Sequence, residues 1–147
     1  MRLSIIVLFF VCFIMSSCKK YDEGGFVYNT EKNLKTTWIL QKYLRNSVDE
    51  TSYLKIKNYE ETYSDAENYT RSYTDEDGDK FAEEGKWSFD KQSKELKISG
   101  VSSLKINTPS TSTVSSSYYK ILKLNDSEFW YYYENGGDTH EFHLNKK

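Results

Sequence analysis

Two hydrophobic rhythms divide this chain. Residues 3–15 form one run, LSIIVLFFVCFIM, apolar at every position except Ser4; it follows Met1-Arg2 and stops before Ser16-Ser17-Cys18-Lys19-Lys20. From residue 38 onward the apolar residues come instead in short bursts with polar residues between them. No long segment there keeps a 3.6-residue period, so the mature part reads as strands rather than helices. The bursts are Trp38–Leu44, Tyr53–Tyr63 with a break near Asn58, Asn68–Thr74, Phe81–Asp90, Glu95–Ser99, Val101–Ile106, Tyr118–Leu124, Glu128–Glu134 and Thr139–Leu144. Turn chemistry separates them at Asn46–Ser52, Asp75–Asp79, Lys91–Lys94, Asn125-Asp126-Ser127 and Asn135–Asp138. A Ser/Thr-rich stretch with Pro109, Asn107 to Ser117, reads as a loop. Glu31 to Thr37 suits one helical turn, capped by Thr30 or Asn33, that closes one end of the fold.

Eight or nine short sequential strands predict an antiparallel meander. Such a sheet must hide its edges, and closure into a barrel removes them. The expected fold class is therefore all-β: a small antiparallel up-and-down barrel of about eight strands with a short N-terminal helical turn. A barrel of that size has an interior that large side chains fill, or that holds one small ligand. The chain has the aromatics for it, with 13 Tyr, 8 Phe and 3 Trp. Trp38 and Trp87 are expected to be buried together at a closed end.

One hairpin decides what lines the interior. A two-residue Asp77-Gly78 loop would pair Thr74 with Phe81. A three-residue loop of Glu76, Asp77 and Gly78, with Gly78 left-handed, would pair Tyr73 with Phe81 and Tyr69 with Gly85. The two registers put opposite faces inside. Burial of aromatic on aromatic favours the three-residue loop. That choice sets Arg71 opposite Glu83, both facing inward. An internal salt bridge that fills space is one reading of the pair; a polar anchor for a ligand is the other.

Charge and cysteine content narrow the class. The formal net charge is −2, and no basic tract follows Lys19-Lys20, which argues against nucleic acid as partner. Cys12 and Cys18 are the two cysteines, so nothing beyond residue 18 can form a disulfide and the fold must rest on its core.

The opening run has its own meaning. Thirteen residues are too few to cross a bilayer, which takes about 20, but they fit the core of a secretory signal. Met15-Ser16-Ser17-Cys18 resembles the bacterial lipobox. The resemblance implies cleavage before Cys18, a diacylglycerol thioether on it, and fatty acylation (palmitate) of the new amino terminus. An ordinary signal peptide with an incidental cysteine is the alternative. Lys19-Lys20-Tyr21-Asp22-Glu23 resembles the surface-export signal of lipoproteins in the Bacteroides–Flavobacterium group. The expected organisation is a signal peptide at 1–17, a lipidated cysteine with a flexible tether at 18–33, and a barrel domain at 34–147. The expected location is the outer membrane, lipid-anchored and facing outward.

A second resemblance comes from the strands. Thr37-Trp38-x-Leu40, Gly85-Lys86-Trp87-Ser88-Phe89-Asp90, Leu96-Lys97-Ile98, Tyr119-Lys120-Ile121-Leu122-Lys123-Leu124 and Glu128-Phe129-Trp130 together resemble the short lipocalin-like domains of Bacteroidota lipoproteins. The similarity spans about Leu34 to Lys147. It departs from the family at Thr36-Thr37-Trp38, where Gly-Thr-Trp is usual, and in the Ser/Thr-rich insertion. It implies a calycin-type barrel and no particular binding residues.

Chemistry-bearing residues are few. Asp75-Glu76-Asp77-Gly78-Asp79 resembles a calcium loop, but Lys80 and Lys86 stand where an EF-hand needs Gly and Glu. It reads as a solvated turn, with a surface cation site as the lesser reading. His140 and His143 lie three apart on one strand and point to opposite faces, so they cannot share a metal. His140 lies on the face of Phe142 and Leu144, toward the inner rim. No nucleophile, base and acid can be singled out, and no cofactor is implied. Phe129 to Tyr133 is aromatic throughout, with Phe129, Tyr131 and Tyr133 on one face and Trp130 and Tyr132 on the other. The second pair either packs under a loop or against a neighbouring strand, or forms a platform for sugars or a partner protein. The ligand-contact candidates are Arg71, Glu83, Trp130 and Tyr132. The expected function is binding without catalysis, of a small apolar molecule or a glycan. The alternative is a protein-interaction module, a subunit or inhibitor, in an envelope complex.

Overall fold

A computed structural model describes residues 20–27, 30–90, 92, 94–105, 108–114 and 116–147, with side chains of 102–115 left aside. The apolar run, the lipobox-like stretch and Cys18 lie outside the described residues. A short helix, α1 (Thr30–Leu34), precedes β1 (Thr37–Arg45), β2 (Val48–Asp49), a 3-10 turn (Thr51–Leu54), β3 (Lys57–Tyr63) and β4 (Asn68–Thr74). Then follow β5 (Lys80–Asp90), β6 (Glu95–Lys105), β7 (Thr108–Val114), β8 (Ser117–Leu124), β9 (Glu128–Asn135) and β10 (Asp138–Lys146).

The wall runs β1-β3-β4-β5-β6-β8-β9-β10 and closes where β10 pairs with β1, from Trp38 opposite Lys146 to Arg45 opposite His140. It is an antiparallel barrel of eight strands. The two-residue β2 pairs with the end of β1, and β7 pairs with the far half of β6. Irregular steps in β1 (Leu40/Lys42), β3 (Lys57/Glu60), β5 (Glu84/Lys86) and β8 (Ile121/Lys123) supply the local bending that closure requires. Asn58, at a positive φ of 54°, marks the break expected in β3.

The deciding hairpin takes the three-residue form. Tyr73 pairs with Phe81, Arg71 with Glu83 and Tyr69 with Gly85. Gly78 sits at φ 86° and its N–H donates to the Asp75 carbonyl at 3.2 Å, which closes the turn. Asp75 spends a carboxylate oxygen on the amides of Asp77 and Asp79, so the loop's acidic character serves the turn itself.

Three expectations need correction. Tyr53 and Leu54 belong to a 3-10 turn (Thr51–Leu54) rather than to the start of a strand, because Lys55 adopts a left-handed conformation at φ 51° and the strand begins only at Lys57. Glu95–Lys105 is one strand, and the stretch read as a loop contains β7. β-Branched threonines suit an extended chain, Pro109 is tolerated near a strand start, and β6 offers a free edge once β8 has left it at Ile98. Third, Lys20–Val27 is not free chain. Lys20 bridges Phe26, the Glu23 amide donates to the Leu122 carbonyl at 2.8 Å, and Tyr21 is buried with its hydroxyl on Thr30 Oγ1. Gly25 makes this approach possible: at φ 88°, a side chain there would place Cβ 2.1 Å from the Leu124 oxygen.

The core fills the α1 end. Leu34, Trp38, Trp87, Leu96, Ile98, Leu124, Phe129 and Leu144 are all buried there. Trp38 packs on Phe129 at 5.6 Å, and Tyr63 bridges Phe129 and Trp87 at 5.9 and 6.2 Å. Both buried indoles find acceptors, Trp38 Nε1 at the Leu34 carbonyl (2.9 Å) and Trp87 Nε1 at the Ser64 carbonyl (3.2 Å). A buried aromatic ring removes about 150–250 Å² from water, an upper bound of about 4–6 kcal/mol each.

Candidate functional site

Above the apolar floor, the barrel interior turns polar. Alternation along β3 turns Tyr59, Glu61 and Tyr63 inward, and Glu61 is only 1% exposed. Three phenols donate to its carboxylate: Tyr59 and Tyr131 to Oε1, the latter at 2.6 Å, and Tyr63 to Oε2 at 2.7 Å. Tyr131 comes from β9, 70 residues away in sequence, so this cluster ties opposite parts of the wall. A carboxylate in such a place needs its lone pairs satisfied, and this one is. Burial first, then the negative charge of Glu61, pushes the hydroxyls of Tyr59, Tyr63 and Tyr131 well above the ordinary tyrosine range; Tyr69 behaves alike. The sequence reading missed Glu61, although Tyr59, Glu61 and Tyr63 at alternate positions was a visible signal.

The next layer up holds Arg71 and Glu83, on the paired strands β4 and β5 and both largely buried. Arg71 donates Nε at 2.8 Å, and Nη2, to one oxygen, Glu83 Oε2. Among the described residues, Nη1 has no hydrogen-bond acceptor. Burial opposes the guanidinium charge, but Tyr59, Tyr69 and the carboxylates of Glu83 and Glu61 outweigh it and raise its pKa well above the usual value.

Arg71 forms part of the wall of a cleft of about 430 Å³ at the mouth, lined also by Ser117, Tyr118, Tyr119, Tyr133, Glu134 and Asn135. Tyr119 and Tyr133 meet edge to face at 5.5 Å, and Tyr133 stacks on His140 at 5.0 Å. The Tyr43 hydroxyl and His140 Nδ1 share a hydrogen bond of 2.7 Å, which fixes the rim beside Tyr133. His140 thus stands at the inner rim, and His143 lies on the outer face.

The remaining two candidates are apart from this cleft. Trp130 stacks flat on His143 at 4.0 Å beneath the Lys123 ammonium, 4.2 Å from the ring. Tyr132 lies under Lys120 at 5.3 Å. The structure therefore brings Arg71 and Glu83 together inside and leaves the other two outside, Trp130 packed between His143 and Lys123 and Tyr132 under Lys120 on the wall of a separate cleft of about 220 Å³. Among the described residues, no cluster of three His, Cys, Asp or Glu could hold a metal ion.

No protein-family model and no curated protein matches the chain. Solved structures do. A lipocalin-like protein from Bacteroides uniformis superposes with a TM-score of 0.54 at 16% identity, covering 78% of this chain and 99% of that one. An uncharacterized protein from Bacteroides eggerthii has a TM-score of 0.49 at 12% identity, with the same coverage. The first of these shows that the fold is lipocalin-like.

Proposed function

We propose that this chain is a lipid-anchored binding protein of the outer membrane, exposed on the cell surface, that takes a small molecule at the mouth of its barrel and performs no catalysis on it. The observation that carries the binding reading is Arg71. Arg71 lines a cleft of a size that suits a small ligand, above a layer of buried side chains. The walls are tyrosines. The ligand that fits has a flat apolar body to lie against Tyr119 and Tyr133 and a hydrogen-bond acceptor, a carboxylate or sugar oxygen, to meet Arg71. The converging titratable groups, Glu61 with its phenols and Glu83 with Arg71, are each occupied by a structural partner, which supports binding over catalysis. Titrating aromatic carboxylates and aryl glycosides into the isotope-labelled domain should shift the NMR signals of Tyr119, Tyr133 and Arg71 Nε, and Arg71→Lys should abolish the shifts. Absence of shifts at the mouth with both compound classes would refute the reading.

The anchor reading rests on Met15-Ser16-Ser17-Cys18 after the apolar run. Cys18→Ala should abolish fatty-acid incorporation and leave an uncleaved or soluble precursor. Unchanged labelling would rule it out. A second reading, a docking module for an envelope protein, has its support in Val48 and Tyr53, two exposed apolar side chains toward the mouth. Capture of one protein from intact cells by wild type, lost with Tyr53→Ser, would favour it.

A further inference from the structure

We infer that the closed end of the barrel faces the membrane, with Phe26 set among the lipid headgroups and the mouth turned away. This rests on the lipid-anchor reading of Cys18. If Cys18 carries the lipid, only Lys19 lies between it and Lys20, which pairs with Phe26 in a segment docked on the barrel. Two residues of chain reach about 7 Å at most, so the bilayer surface must lie against whatever surrounds Lys20.

What surrounds it is known. Lys20 pairs with Phe26 and holds its ammonium 5.1 Å from the Phe26 ring. Phe26 is 52% exposed, a large apolar ring left in water with a lysine beside it. The segment is locked in place by the Glu23–Leu122 hydrogen bond and by Gly25 seated against Leu124. Leu124 ends β8 at the closed end, beside α1. Gly24 adjoins Lys123, which covers Trp130 on the outer face. Lys123 is held over Trp130 by its ion pair with Glu128, which leaves Phe26 and Lys20 as an exposed ring and ammonium side by side at the closed end. That pairing suits an interface where rings sit at headgroup level and lysines reach the phosphates. The competing exposed apolar residues, Val48 and Tyr53, lie toward the opposite end of the barrel, where β2 pairs with the end of β1. β5 alone spans 11 residues between the two ends, about 35 Å along the strand.

The test uses the full chain, purified from membranes with its lipid and reconstituted in vesicles of phosphatidylethanolamine and phosphatidylglycerol that carry nitroxide headgroups. Phe26→Cys and Tyr53→Cys, in separate proteins, take a bimane label, whose rings replace the lost aromatic. Quenching should be several-fold stronger at position 26 than at 53. Gly25→Val, which cannot keep the segment against Leu124, should lengthen the free tether and remove most of that difference. Equal quenching of the two labels with Gly25 intact, or stronger quenching at 53, would overturn the orientation. Intact mass of the purified protein separates the two readings. Acyl mass present with equal quenching sinks the orientation alone, and acyl mass absent sinks the anchor with it.

Discussion

Glu61 offers the sharpest check on how the interior is held together. Replacing it by Leu fills similar space and removes the acceptor of three buried phenols. Each buried donor left unsatisfied costs about 1–3 kcal/mol, so the three together cost about 3–9 kcal/mol. Against this stands a gain: the wild type keeps a carboxylate out of water, at an effective cost of several kcal/mol. The phenols decide the sign, because they stay buried after the substitution and Leu offers them nothing. At the middle of that range, about 6 kcal/mol, less about 3 kcal/mol of relieved desolvation, a net loss of about 3 kcal/mol follows, a large part of the 5–15 kcal/mol typical of a domain. With a urea m-value of roughly 1.5 kcal/mol/M, the midpoint should fall by about 2 M. Glu61→Gln keeps one acceptor oxygen and should lose less than half as much. Adding Tyr63→Phe to Glu61→Leu removes one orphaned donor, so the double variant should be more stable than the sum of the singles by at least about 1 kcal/mol. Urea unfolding followed by tryptophan fluorescence reads all of this. A Glu61→Leu protein as stable as wild type at unchanged m would refute the reasoning, since desolvation would then outweigh the hydrogen bonds.

Trp87→Ala, at a buried indole with a backbone acceptor, should cost about 3–5 kcal/mol, a melting point lower by about 10–20 °C in a domain of this size; an unshifted thermal transition would count against the closed-end packing. Gly85→Val should lose about 1–3 kcal/mol, because a Cβ there would lie 2.8 Å from the Ser99 oxygen and 3.2 Å from Val101; urea midpoints equal to wild type would contradict that approach of β5 and β6. Alkaline titration should unfold the protein. The hydroxyls of Tyr59, Tyr63, Tyr69 and Tyr131 have pKa values raised well above 10, so above pH 10 the unfolded chain has released protons that the fold still holds. Stability therefore falls as pH rises past about 10 and does not change on this account below it. Absorbance at 295 nm, read beside near-ultraviolet circular dichroism, should show these four phenols ionising only as the fold is lost; their ionisation near pH 10 in an intact fold would refute it.

The register of the β4–β5 hairpin was readable because two local demands agreed. Gly78 suits a positive φ, and only one slip buries Tyr69, Tyr73 and Phe81 on the same side. Arg71 and Glu83 then follow without knowledge of any other strand. Glu61 was only half readable. Its alternation with Tyr59 and Tyr63 marks the face, but its third donor arrives from β9, and nothing local to β3 announces Tyr131. The docking of Lys20–Val27 was less readable still. Glycine-rich polar chain suggests a tether, and what binds it is the Leu122 carbonyl and a space over Leu124, features of a folded strand rather than of a sequence pattern. β7 escaped for a similar reason, since its pairing uses a backbone edge that exists only once β8 has left β6.

The same interior sets the terms on which Arg71 can be tested as a ligand contact. Arg71 holds Glu83 inside the barrel, and removing one partner of a buried pair typically costs about 3–5 kcal/mol. Arg71→Ala would lose binding simply by loosening the mouth, whatever Arg71 does to a ligand. Arg71→Lys is the informative change. An ammonium keeps the charge opposite Glu83 and gives up the planar fork, so it can hold the ion pair while changing what the side chain offers to the cleft. The expectation is a urea midpoint within about 1 M of wild type, with ligand-induced shifts at Tyr119 and Tyr133 gone. If Arg71→Lys keeps both stability and binding, the guanidinium is an internal brace for Glu83 and the mouth recognises its ligand by the tyrosines alone.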